Sequence, residues 1–322
     1  MLRTSLCDLL GIEHPIIQAG MGPVTTAELV ATVSNAGGLG SLGATPRPIE
    51  EFRQHLTRIP ELTERPFAVN HLVPLLNEEA VALTLEAKPA VISLALGNPP
   101  SDLVERAHGS GILVMHQVHT VRQARQAAER RVDIIIAQGN EAGGNCGTVS
   151  ALALVPQVVD AVSPIPVVAA GGIADGRGLA AALVLGAQGI NIGTRFLASV
   201  EAGGGESWKQ AILAAESEDT LKVEFWNDIF PPPTDGYDTS PRALRTPFIE
   251  EWQQHREQAK REAERLRGEL MMAVQQERMH EMTPLTGQTT GLIHEILPAG
   301  QVVRRIAAEA EQALREASNL PQ

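Results

Sequence analysis

The stretch QGNEAGGNCG, residues 138–147, follows an apolar run at 133–137 and sets Asn145 between a glycine and a cysteine. Two further glycine-bearing stretches, AAGGIADGRG (169–178) and GTRF (193–196), continue from other apolar runs. Backbone without side chains exposes amide N–H groups, and Gly171, Gly172, Gly193 and Thr194 have the composition of a phosphate-binding turn. Neither cluster has the G-x-G-x-x-G spacing of a Rossmann dinucleotide site. Polar residues end or follow several other apolar runs: Gln18 with Gly20 and Met21, then Asn70, Gln117 and Gln138. Carboxamides both donate to and accept from the pyrimidine edge of an isoalloxazine, so the expected cofactor is FMN rather than a phosphorylated substrate.

These residues need a scaffold that brings strand ends to one face. Short β-branched runs alternate with helical segments from Pro15 to Gly193, and eight are expected as strands, at 15–19, 38–42, 67–70, 90–95, 112–117, 133–137, 166–170 and 189–193. Helices fit between them, for example at 26–37, 120–131 and 176–187. Eight βα alternations imply an α/β fold, a (β/α)8 TIM barrel, whose active site lies where the strands end. Hydrophobic residues make up 43% of the chain and aromatics 3%. Such a core of Ala, Val, Leu and Ile suits buried parallel strands. The rhythm breaks at residues 201–283: EAGGGES reads as a hinge, PPPTDGYDTSP as neither helix nor strand interior, and 247–282 as charged helix. The expected organisation is a cofactor-binding barrel at 1–200, an inserted, mostly helical lid or substrate subdomain at 201–283, and a segment at 284–322 whose final amphipathic helix completes the barrel.

Twenty-six Lys and Arg against 38 Asp and Glu give a net charge of −12, which disfavours nucleic acid and anionic membrane as partners. The two cysteines, Cys7 and Cys146, stand far apart without metal-type spacing, so neither a disulfide nor a metal site is expected. No apolar run approaches the ~20 residues of a membrane span, and a cytoplasmic location is the expectation.

Taken as a set, IIQAGM, NAGGLGSLGA, Asn70, GNEAGGNCG, AAGGIADGRG, GTRFLAS, FPPPTDGYDTSPRALRTPF and GQTTGLIHEI resemble the nitronate monooxygenase family, FMN-dependent TIM-barrel enzymes formerly called 2-nitropropane dioxygenases. The resemblance implies noncovalent FMN with its phosphate on Gly172, Gly193 and Thr194 and its ring near Gly20, Met21, Asn70, Gln117 and Gln138, with Gly143 and Gly144 in the loop beside it. It implies a nitronate or related small anion and O2 as partners, NAD(P)H in the reductase branch of the superfamily, and a monomer or homodimer. The family's loop reads E-A-G-G-H, with the histidine as catalytic base; here that position is Asn145, the catalytic candidate of this chain.

A carboxamide lacks useful basicity and can only hydrogen-bond, so proton abstraction from a neutral nitroalkane should be crippled. A nitronate arrives deprotonated and needs orientation and anion stabilisation instead. The alternatives are an NAD(P)H-dependent FMN reductase of the quinone or enoyl-thioester type, and a flavin-binding protein without turnover. Locally, Asn145 also fits a plain turn residue, Cys146 a buried small hydrophobe, and His116 or His119 a substitute imidazole. Glu141 either orients the loop through backbone amides or faces solvent. Trp226, Phe230 and Tyr237 either line a pocket or anchor the insertion.

Overall fold

The computed structural model describes residues 2–230, 237–276 and 278–319. In chain order its strands are β1 (Ile16–Gln18), β2 (Gly40–Gly43), β3 (Phe67–Leu72), β4 (Val91–Ala95), β5 (Leu113–Val118), β6 (Ile134–Gln138), β7 (Gly144–Cys146), β8 (Val167–Ala170), β9 (Gly189–Ile192), β10 (Thr220–Lys222) and β11 (Ser240–Leu244). Eight of them form one parallel sheet in the order β1-β9-β8-β6-β5-β4-β3-β2. Its ends meet through a parallel bridge between Ile17 and Leu39, so the sheet closes into the expected (β/α)8 barrel.

Alternation along the strands separates two cores. Ile17, Val91, Met115, Ile134, Ile136 and Val168 point inward, where Leu6, Cys7 and Leu10 of the first helix, Ser5–Leu10, join them. The residues between them, including Ile16, Ile92, Val114, Ile135 and Val167, face the surrounding helices. The period of two thus fills the barrel with one set of aliphatics and seats the helices on the other. Gln18 belongs to the closure and not to the cofactor set its sequence position suggests. Its Oε1 accepts from Ser41 N at 2.9 Å and its Nε2 donates to Ser41 O at 3.1 Å, so this fully buried amide is spent joining β1 to β2.

After β9 the chain leaves the barrel. The stretch read as charged helix divides into Pro247–Gln254, Arg256–Arg261 and Ala263–Gln275. Val223, Phe225, Ile229, Ile249, Trp252 and Leu266 give the insertion its own core. Trp226 and Phe230 stack there with ring centroids 4.6 Å apart, which makes them anchors of the insertion. The proline-rich stretch falls partly at 231–236, outside the described residues, but its end departs from expectation: Ser240 and Pro241 begin β11. That strand is the middle of a three-stranded antiparallel sheet, β10-β11-β7, whose third strand comes from the barrel loop after β6. Pro241, at the second position, is tolerated because its carbonyl still accepts from Val223 N.

The helix Ala299–Ser318 begins after Pro298 and buries Val302, Val303, Ile306 and Ala310. It completes the outer ring beside Gly176–Val184. No described helix is long and apolar enough to cross a membrane.

Candidate active site

The glycines and amides singled out in the sequence form a connected ring around the strand ends. Gly20 after β1 lies against Asn70 of β3; a Cβ there would be 2.4 Å from Asn70 Cβ, so only glycine permits the approach. Asn70 Nδ2 donates to the carbonyl and hydroxyl oxygens of Ser93, each at 3.3 Å, tying β3 to β4. Met21 packs toward Gly193, where its Sδ would be 3.3 Å from an added Cβ. Thr194 follows, and its Oγ1 accepts from Gly287 N at 3.0 Å. Gly287 in turn abuts Gly143. Gly171 and Gly172 leave β8 at φ +87° and +75°, consecutive left-handed residues that side chains rarely adopt. Gly171 sits against Gly139 O and Ala142 N of the loop after β6.

The pairing of β8 with β9 puts Gly171, Gly172, Gly193 and Thr194 on adjacent strand ends. This cradle, bordered by amide side chains, fits a phosphate-bearing flavin: the residues present supply N–H donors at one side and carboxamides at the other.

Across the ring the amides are locked to imidazoles. Gln117 Nε2 donates to Gln138 Oε1 at 3.2 Å, and His119 Nε2 lies 2.9 Å from the same oxygen. Because that oxygen is an acceptor, His119 carries its proton on Nε2. Burial pushes His119 down to about 4, partly opposed by the Gln138 hydrogen bond, so the ring is neutral at pH 7. His116, buried beside it, is pushed down to about 3, by burial first and then by His119. Its Nε2 is 2.6 Å from Tyr237 OH. Tyr237 therefore reaches from the insertion into the barrel, edge-on to both imidazoles with centroids 6.1 and 6.0 Å away.

Asn145 follows ring member Gly143 on a loop whose secondary structure its sequence does not announce. It is the middle residue of β7, half-buried, and pairs in register with Pro241 of the insertion. Gly144 before it has φ +70° with nothing within 4 Å of an added Cβ. Cys146 is buried and free, as a small hydrophobe would be. Glu141 is resolved as an orienting residue: both carboxylate oxygens accept from Ala151 N, at 3.1 and 3.0 Å, capping the helix Ala151–Val162. Its carbonyl also accepts from Gln288 N, which ties the loop to the Gln288–Leu292 turn.

Sequence reasoning missed Lys222 and Arg242, the charged residues against the Asn145 loop. Lys222 Nζ donates to Cys146 O at 2.6 Å and Gly147 O at 2.8 Å, and Arg242 pairs with Gly144. Single basic residues in a charged insertion carry no motif, and only the β7–β11 pairing marks them. A cavity of about 430 Å³ lies between residues 292–297, the last helix and the turns after β8 and β9, where Ala174, Asp175 and Arg195 line it. Its Arg177 and Arg305 are paired with Asp175 and Glu295, and its Arg195 donates to the carbonyls of Ala198 and Glu295.

A family model described as nitronate monooxygenase matches residues 3–309. A (3aS,4S,5R,7aS)-5-hydroxy-7a-methyl-1-oxo-octahydro-1H-indene-4-carboxyl-CoA dehydrogenase of Rhodococcus jostii is 41% identical, over 68% of this chain and 62% of its own length. A probable nitronate monooxygenase of Staphylococcus saprophyticus is 37% identical, over 68% of this chain and 75% of that one. Among solved structures, FabK from Thermotoga maritima superposes with a TM-score of 0.90 at 34% identity, covering 100% of both chains.

Proposed function

The chain belongs to the nitronate monooxygenase family, an oxidoreductase family, and from this premise we propose that it is an FMN-dependent enzyme that oxidises alkyl nitronates with O2. One observation carries the choice of a preformed anion: position 145 holds a carboxamide, while the buried imidazoles are engaged elsewhere, His116 with Tyr237 and His119 with Gln138. Bound FMN supplies the electron acceptor for the nitronate carbon and the route by which those electrons reach O2. The protein's part is binding and orientation. Gly171, Gly172, Gly193 and Thr194 hold the phosphate by backbone N–H groups, while Asn70, Gln117 and Gln138 fix the ring edge. Asn145 donates its N–H2 to a nitro oxygen and stabilises charge without moving a proton. Residues 1–200 serve as the cofactor barrel, residues 201–283 as the lid that shapes the substrate space, and residues 284–322 as its closure.

The name of the Rhodococcus relative, a carboxyl-CoA dehydrogenase, favours a second reading, redox chemistry on an acyl thioester. Acid release of the bound flavin, identified by chromatography, together with oxygen uptake on a nitronate, tests the first reading. FMN and rapid uptake are expected. Released FAD, or no uptake above that of the free flavin, refutes it.

A further inference from the structure

Lys222 of β10 and Arg242 of β11 face one another in register, and both lie against the loop that carries Asn145. Lys222 Nζ donates to three backbone carbonyls, those of Cys146, Gly147 and Ser240, at 2.6, 2.8 and 3.3 Å. Arg242, only 6% exposed, donates through Nε to Asn140 O at 3.1 Å, through Nη2 to Asn140 Oδ1 at 3.4 Å and through Nη1 to Thr220 Oγ1 at 3.3 Å. Every one of these acceptors is neutral. Arg242 is a buried cation and Lys222 a half-buried one, yet among the described residues neither has a carboxylate within ion-pair distance, in a chain where acids outnumber bases 38 to 26.

Carbonyls solvate a positive charge without cancelling it, so Lys222 and Arg242 set beside this loop a positive charge that no described carboxylate offsets at contact distance. There is also room for a ligand, since an added Cβ on Gly144, the neighbour of Asn145, would meet nothing within 4 Å. The Lys222 charge reaches the strand ends: after burial, it is a further cause that holds His119 in its neutral form.

We infer that Lys222 and Arg242 are specificity-determining residues that select a small organic anion, with its negative charge beside Asn145, over a neutral molecule of the same shape. The inference rests on the proposed placement of Asn145 at the chemistry, but on neither the identity of the oxidised anion nor the flavin.

Isothermal titration calorimetry of the full chain with butyrate and with butyramide isolates the charge, because the two share one skeleton and neither is oxidised. Butyrate is expected to bind about tenfold more tightly, equivalent to ~1.4 kcal/mol. Lys222→Met and Arg242→Gln should each lower that preference severalfold while leaving butyramide affinity in place. Lys222→Arg and Arg242→Lys, which keep the charge, should retain it. Equal affinity for the two ligands, no binding of either, or loss of both in parallel in the charge-removing variants overturns the inference. A chain that prefers butyrate yet fails to oxidise a nitronate would keep this inference and lose the proposed function.

Discussion

Acidification should unfold this protein from the inside, through imidazoles that cannot take up protons while buried. His71, His116 and His119 are 1%, 0% and 2% exposed. Burial pushes His71 down to about 4. His116 and His119 lie at about 3 and about 4. All three are thus depressed from an ordinary 6.5. Between pH 6.5 and about 4 the unfolded chain binds protons that the folded chain refuses, so stability is full above pH 6.5 and falls as pH drops. At pH 5 each imidazole costs roughly 1.4 kcal/mol for each of about 1.5 units, hence ~2 kcal/mol apiece and ~6 kcal/mol for the three. That is comparable to the whole stability of many domains. Urea unfolding followed by circular dichroism should show the midpoint falling by about 2 M between pH 7.5 and 5, for a slope near 3 kcal/mol per M. His71→Gln keeps a partner for Thr84 Oγ1, which lies 2.9 Å from His71 Nε2. It should remove about a third of the pH dependence. A midpoint that is flat from pH 7.5 to 5, or a His71→Gln variant with an unaltered pH dependence, would show that these imidazoles do not set the acid stability.

Asn145→His should restore a proton acceptor and raise turnover of neutral nitroalkanes by ~10-fold or more, with little gain on preformed nitronates; steady-state assays on both forms read the difference. Gly172→Asp and Gly193→Asp should each release FMN during gel filtration, through charge repulsion and lost amide access, and full retention in both would remove the phosphate assignment. Gly176→Ala would place a Cβ 2.3 Å from Ala310 N, backbone that cannot swing aside, so the last helix must shift. Thermal unfolding should report a loss of ~1–3 kcal/mol, and an unchanged melting temperature would contradict that packing.

The barrel was legible because its signal is local and repeated. Ile134, Ile135 and Ile136 alternate between the two cores, and short apolar runs recur at each barrel strand. The ring of site residues was legible for the same reason, since strand ends follow from strands. Gln18 misled because an amide at a strand end looks the same whether it awaits a ligand or bonds to Ser41 across the closure. The sheet β10-β11-β7 was not legible. Its strands are short, one contains Pro241, and β11 lies about 95 residues beyond its partner β7, so no window of sequence contains that pairing. Tyr237 was visible as an aromatic in the insertion, but its bond to His116 spans 121 residues. Lys222 and Arg242 acquire meaning only through that same long-range sheet.

The proposed reaction takes electrons from an already anionic nitronate and needs no catalytic base at position 145. An anaerobic stopped-flow experiment on the flavin-loaded protein, mixing it with propionate 3-nitronate and separately with NADH and NADPH, tests it most directly. Rapid bleaching of the visible flavin spectrum by the nitronate, and little by either nicotinamide, is expected. Bleaching by a nicotinamide with an unchanged spectrum under nitronate would contradict it.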